Sequence, residues 1–405
     1  MNKINEPLQL GGWQLPNRVV FQPMEGCDGT FDGGVGELTF RRYMRFAGAG
    51  AAILWFEAVA VRAEGRANPR QLFLSPGTAD SFKRLLEAGR EQALKETGAV
   101  PKIIIQLTHA GRFSKPRGTP APLVAYRNAH WEQGREDQPY QIVTDDYCAE
   151  LTYAYADAAK LSAEVGFDGA DVKCCHGYLL NEFLSAYDRP GRYGGCFENR
   201  ARLFLDCMEA ARQSLPAHTL LTTRLNACDG FPFPHGYGVS EQNEIDLTEC
   251  KEVLRILRDR FNCEMVNITL GNPYLIPHIN RPARIGPEPG DIGMERIRAV
   301  TGELQSDFPE LAIAASGLSF PGENCVEYAD ALLEEDAAKL AGFGRMTFAY
   351  PDFFRDFTER GRLDRHKTCL ACGKCTQLMR AGTIAGCPVR DTEVYMPYYK
   401  KYVKD

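Results

Sequence analysis

The stretch QPMEGCDGTF, Gln22 to Phe31, decides the fold. It begins at the end of the first apolar run, Arg18–Pro23, where an open doubly wound sheet would place a GxGxxG phosphate turn, and it does not have that pattern. Beyond it, short β-branched or apolar runs recur at Ala51–Val61, Lys102–Leu107, Gly169–Lys173, Leu220–Asn226, Met265–Thr269, Ala312–Ala315 and Leu340–Phe343. Helix-like segments follow them near Glu37–Ala47, Ser81–Thr97, Asp146–Val165, Glu198–Ser214, Leu247–Phe261, Met294–Ser306, Gly322–Leu333 and Asp352–Glu359. Eight strand–helix alternations without the dinucleotide turn predict an α/β fold of the (β/α)₈ TIM-barrel type.

Upstream, LQLGGWQL reads as two short strands around Gly11-Gly12, a hairpin suited to plug the bottom of a barrel. In the 146–165 segment Leu151, Ala154, Tyr155, Ala158 and Leu161 fall on one helical face, with acids at its start and Gly166 at its stop; Asp145 and Asp146 read as its caps. Of the 405 residues 44% are apolar and 25% charged, so the chain can bury a large core. A net charge of −6 has the wrong sign for binding a phosphate backbone, so nucleic acid is not an expected partner. The start MNKINEPLQL lacks the apolar centre of a signal peptide, and the stretch from Ala47 to Val61 is interrupted by Glu57. A soluble cytoplasmic protein with no membrane contact is expected.

In such a barrel chemistry gathers where strands end and loops begin. The third strand brings Gln106 to the mouth, with His109 and Arg112 just beyond. The fourth ends in VKCCHGY, presenting Lys173, His176 and Tyr178, and the fifth carries Arg224 among apolar neighbours. An inward arginine needs a partner. It either pairs with an internal acid or stabilises charge on a ligand ring, and in the second case Gln106 would serve an amide-like edge. Those needs fit an isoalloxazine. The last two strands end in AASG and FGR, whose Ser316, Gly317, Gly344 and Arg345 suit a monophosphate.

Fourteen cysteines are many for a reducing compartment, and Cys369, Cys372, Cys375 and Cys387 crowd near the end of the chain. Two CxxC steps followed by a Cys-Pro make the arrangement cubane iron–sulfur clusters use, with structural zinc as the competing assignment.

Taken together, PMEG, EAVAV, QLTHAGR, KCCHGYLLNEFLS, RPGRYGGCFENRARL, TRLNA, AASG and FGR resemble, in order and spacing, the old yellow enzyme family of FMN-dependent oxidoreductases. The trailing cysteines resemble its iron–sulfur branch, with 2,4-dienoyl-CoA reductase, enoate reductase and trimethylamine dehydrogenase. The resemblance implies FMN at the barrel mouth. It sets Pro23, Met24 and Ala58 against the flavin, Gln106 and Arg224 on its pyrimidine edge, and Ser316, Gly317, Gly344 and Arg345 around its phosphate. Two positions depart from the pattern. Lys173 stands where histidine or tyrosine is usual, and Glu25 lies near the flavin C4 carbonyl, where a carboxylate is costly unless protonated or turned away.

The expected activity is reduction of an enone- or enoate-type alkene, with hydride from flavin N5, His176 and Lys173 holding the carbonyl oxygen and Tyr178 protonating the α-carbon. The competing readings are an amine dehydrogenase that exports electrons through the cluster and a non-catalytic electron-transfer subunit. Residues 1–362 are expected to form the FMN barrel and 363–405 a [4Fe-4S] extension. Relatives with this cluster continue into dinucleotide-binding domains, for which this chain has no room. Electrons are therefore expected from a separate flavoprotein or ferredoxin, or directly from NAD(P)H; a homo-oligomer is compatible with all of this. Ser114–Gln141 and Gly271–Gly290 read as lids.

Overall fold

A computed structural model describes residues 2–403. Its main sheet is entirely parallel. The barrel strands are Val19–Phe21, Ile53–Ala60, Lys102–Thr108, Gly169–Val172, the two-part Leu220–Thr222 and Arg224–Cys228, Met265–Leu270, Ala312–Ala315 and Leu340–Phe343. Each pairs with the next, and the last pairs with the first through Phe343 and Phe21. The two ends of the sheet are the two parts of the fifth strand, so the ladder meets itself across Thr223 and the barrel is all but closed.

The break at Thr223 has a local cause. The Arg224 amide donates to a carboxylate, Asp171 Oδ1 at 2.8 Å, rather than to a neighbouring strand, and the Thr223 hydroxyl donates to Val172 O at 2.7 Å. Period-two patterning could not have revealed this, because the intruding acceptor is a side chain of another strand.

The hairpin forms as expected, Leu8–Leu10 running antiparallel to Trp13–Leu15. Its Leu10, Trp13 and Leu15 join Val20, Ile53, Trp55, Ile104, Met265, Ala314 and Leu340 in one buried apolar cluster that fills the barrel floor. Outside the sheet, residues of the surrounding helices complete a second and much larger core. Helices Glu37–Ala47, Ala79–Thr97, Asp145–Val165, Phe197–Ser214, Thr248–Phe261, Gly290–Asp307, Cys325–Glu334 and Phe353–Arg360 occupy the eight expected places. The 145–165 helix is capped by Thr144, which accepts from the Tyr147 amide at 3.1 Å, so Asp145 and Asp146 are first-turn acids rather than its cap.

The Ser114–Gln141 loop is less bare than its composition suggests. Leu123–Val124 pairs with Gln141–Ile142, and Asn128 caps a short helix, Ala129–Glu132. The cysteine-bearing segment is held against the barrel mouth. Ala385 N donates to Gly26 O at 2.7 Å, and Asp391 pairs with Arg41 at 2.7 Å and Arg45 at 2.9 Å on the first helix. Its own helices are Lys374–Arg380 and Thr392–Tyr402. No helix among the described residues is long and apolar enough to cross a membrane.

Candidate active site

A cavity opens at the C-terminal mouth of the barrel. Pro23, Met24 and Glu25 reach it from the first strand, Lys173, His176 and Tyr178 from the fourth, Arg224 from the fifth, and Gly317, Gly344 and Arg345 from the last two. Cys375 and Met379 close it from the C-terminal segment.

Its electrostatics are unbalanced. Arg224, Arg281 and Arg345 all line it, and none makes an ion pair among the described residues. Arg345 donates to Pro282 O at 2.7 Å and Arg281 to Thr376 Oγ1 at 2.9 Å. Arg224 Nε is buried with no hydrogen-bond partner among the described residues. Burial holds the Arg224 and Arg281 guanidinium groups below their ordinary pKa, and for Arg281 the nearby Arg345 and Arg224 add to the effect. A buried, unpaired guanidinium is costly unless an anion completes it. The donor set therefore fits a ligand with a phosphate and an electron-rich ring edge, as FMN has.

The internal acid that might have paired with Arg224 is engaged elsewhere. Asp171 Oδ2 accepts from Trp55 Nε1 at 2.7 Å and from Gln106 Nε2 at 2.6 Å. Burial raises the Asp171 pKa to about 6. Gln106 thus lies in the barrel interior tied to Asp171 and outside the cavity lining, and Ala58 is buried in its strand beside it. Ser316 likewise turns away, donating to Ile268 O at 2.9 Å. Ser319, which the sequence did not single out, lines the cavity in its place; its oxygen accepts from Met346 N at 3.0 Å, leaving its O–H free to donate. Gly317 has φ +85°, a conformation L-residues avoid.

Gln22 was missed as well. Its Oε1 accepts from Asn267 Nδ2 at 2.8 Å, while its Nε2 is buried, unpartnered and on the cavity wall. The available signal was its position immediately before PMEG at the strand end.

The two departures from the family pattern meet. Lys173 Nζ stands 3.7 Å from Glu25 Oε1 and 3.8 Å above the centre of the Tyr178 ring. The Tyr178 hydroxyl donates to the same Glu25 oxygen at 3.2 Å and lies 3.1 Å from the Tyr274 hydroxyl. Tyr274 in turn stacks on Phe113, ring centres 3.6 Å apart. Burial, then Glu25, push the Tyr178 phenol well above its ordinary pKa, so it is a neutral proton holder. His176, at φ +68°, is fixed by Asn272, which donates to its carbonyl at 3.1 Å, and by Asn280, 3.2 Å from its Nε2. Asn280 Nδ2 donates also to Thr269, so the ring proton belongs on Nδ1. Burial, and after it Arg224 and Lys173, lower the His176 pKa well below the usual value, making it a neutral donor.

His109 and Arg112 are structural. His109 is buried against the Tyr147 hydroxyl at 2.8 Å, and Arg112 pairs with Glu182 at 2.5 Å.

Cys369, Cys372, Cys375 and Cys387 line a small cysteine cavity, which shares Arg345, Phe348 and Cys375 with the mouth cavity. Among the described residues no three His, Cys, Asp or Glu side chains converge closely enough to hold a single metal ion.

Comparison with known proteins agrees with this architecture. An NADPH dehydrogenase of Clostridium acetobutylicum is 27% identical over 281 residues, 69% of this chain and 76% of that one. A 2-naphthoyl-CoA reductase, solved with 2-naphthoyl-CoA, superposes with a TM-score of 0.78 at 19% identity, over 96% of this chain and 56% of that one. An old yellow enzyme homologue of Zymomonas mobilis gives a TM-score of 0.68 at 20% identity, over 90% and 94%. The chain spans from 58% to 76% of the length of three curated relatives it matches. The family model described as NADH:flavin oxidoreductase / NADH oxidase matches residues 3–286, well over half of the chain, which therefore belongs to that family of enzymes.

Proposed function

We propose that the chain is an FMN-dependent reductase of carbonyl-conjugated alkenes, and that a [4Fe-4S] cluster on Cys369, Cys372, Cys375 and Cys387 relays electrons to the flavin site. The observation that carries this reading is the mouth cavity itself, walled by three arginines without acidic partners and sharing a wall with the cysteine cavity.

Arg224 would take the pyrimidine edge of FMN, Arg345, Ser319, Gly317 and Gly344 its phosphate, and Pro23, Met24 and Glu25 would border the ring; Gln106 and Ala58 back the site from the strands. FMN, when bound, supplies hydride from N5 to the carbon β to the carbonyl. Neutral His176, with Lys173, holds the carbonyl oxygen and stabilises charge developing there. Tyr178 protonates the α-carbon. Conjugated acyl thioesters belong among the substrates to test, since 2-naphthoyl-CoA is bound by a structural neighbour.

The cysteines suit a cube better than a zinc ion by their spacing, two CxxC steps followed by a Cys-Pro, and all four line one cavity. A separate flavoprotein or ferredoxin would feed the cluster, in a reducing cytoplasm that keeps the cysteines from forming disulfides. Residues 1–362 then form the flavin barrel and 363–405 the cluster extension. Anoxic stopped-flow mixing with NADH tests the route, since slow bleaching by NADH and fast bleaching by reduced ferredoxin is expected. Fast bleaching by NADH alone would remove the need for a protein donor.

A further inference from the structure

Tyr178 is 2% exposed and lines the mouth cavity, so once flavin and substrate fill that cavity a phenol that gives up its proton in each turnover has no direct route to solvent. The structure supplies an indirect one. Glu25 lines both the mouth cavity and a second cavity, whose rim includes the exposed Lys115 and Arg380. It is the one carboxylate lining either cavity among the described residues. We propose that Glu25 is the proton inlet of the site, taking protons from the second cavity and returning them to Tyr178 after each turnover. This rests on the reading of Tyr178 as the acid of an alkene reductase.

The geometry joins every link. Glu25 Oε1 is the acceptor of the Tyr178 hydroxyl at 3.2 Å, so one short transfer reverses the direction of that bond. Lys173 Nζ, 3.7 Å from the same oxygen and 3.8 Å over the phenol ring, supplies the positive charge that lets a carboxylate and a transient phenolate stand side by side. The stacked Phe113–Tyr274 pair fixes the partition between the cavities, with the Tyr274 hydroxyl 3.1 Å from that of Tyr178.

The proton balance closes without any electron movement. A C–H bond forms at the substrate α-carbon as the Tyr178 O–H bond breaks, leaving a phenolate. Glu25, protonated from water, then passes its proton to that phenolate, a strong base because burial raises the Tyr178 phenol well above its ordinary pKa. The carboxylate regains a proton from water entering the second cavity. A purely structural Glu25, present only to neutralise Lys173, would have no use for contact with that cavity.

The test separates the first turnover from those that follow. In Glu25→Gln holoenzyme Tyr178 starts protonated, so one equivalent of enone should reoxidise the reduced flavin with a clearly smaller loss of rate than steady-state turnover shows. Steady-state turnover should fall about 10- to 100-fold, the scale of a lost acid–base group. Formate or acetate buffer should restore the steady state in proportion to its concentration. A full complement of dithionite-reducible flavin would show that the variant is folded and loaded. First-turnover and steady-state rates that fall together, or neither falling, would overturn the inlet. If instead Tyr178→Phe reduces enones normally, the assignment of the acid itself fails and the inlet falls with it, a result distinguishable because it does not involve Glu25.

Discussion

Buried Lys173 and partly buried Glu25 form an ion pair, Nζ to Oε1 3.7 Å, linking the end of the fourth barrel strand to the loop after the first. Each is unusual for its position when taken alone. Together they leave the site with no added charge and place the cation over the Tyr178 ring, so the cost of a carboxylate near a flavin is met by its own partner.

Replacing Tyr178 by Phe removes the proton donor while keeping the ring under Lys173. Alkene turnover should drop by about 10²–10⁴ with flavin reduction unaffected, measured as separate half-reactions. Equal rates for both proteins would assign the proton to another group.

Among the described residues the buried Arg224 Nε has no hydrogen-bond partner, so Arg224→Met should leave the flavin-free fold as stable as before or more so. FMN affinity should weaken about 10- to 100-fold, the equivalent of a charge-assisted bond of about 1.5–3 kcal/mol. Fluorescence titration with FMN and a thermal melt of the flavin-free protein read the two effects.

His109 sets an acid limit on stability. Burial lowers its pKa to about 4, below the unfolded value near 6.5. A depressed folded pKa contributes stability that is complete above about pH 6.5 and is lost as pH falls through 4. The full difference is about 3 kcal/mol. Urea unfolding across this window should show a shallower acid limb for His109→Gln than for wild type; parallel curves would exclude His109 as the cause.

Ser at Cys369 or Cys387 should abolish iron retention on anoxic reconstitution while FMN still binds, because Arg224 and Ser319 lie outside the cysteine cavity. Undiminished iron in both variants would move the cluster off these cysteines.

The alternation of apolar runs and amphipathic segments was enough to read the barrel, since every strand and helix expected lies within a few residues of its place. The floor hairpin was legible for the same reason, as three apolar side chains alternating around Gly11-Gly12 have nowhere else to go. The site was legible only where function rests on strand ends, as with Lys173, His176, Tyr178 and Arg224. Side-chain direction was not. Gln106 and Ser316 sit at the expected positions in the chain but turn to Asp171 and to Ile268 O, while Gln22 and Ser319 face the cavity. The Glu25–Lys173 pair and Arg281 were hidden for another reason: contacts between distant loops leave no periodic trace in one sequence.

The most direct test of the flavin site is the visible spectrum of anoxically reconstituted protein, followed through one reduction with dithionite and one addition of a simple cyclic enone. The expected result is a flavin band beside a broader iron–sulfur absorption, bleached by the reductant and restored by the enone. Protein that stays colourless after reconstitution, or a bleached flavin that no enone or conjugated thioester reoxidises, would contradict it.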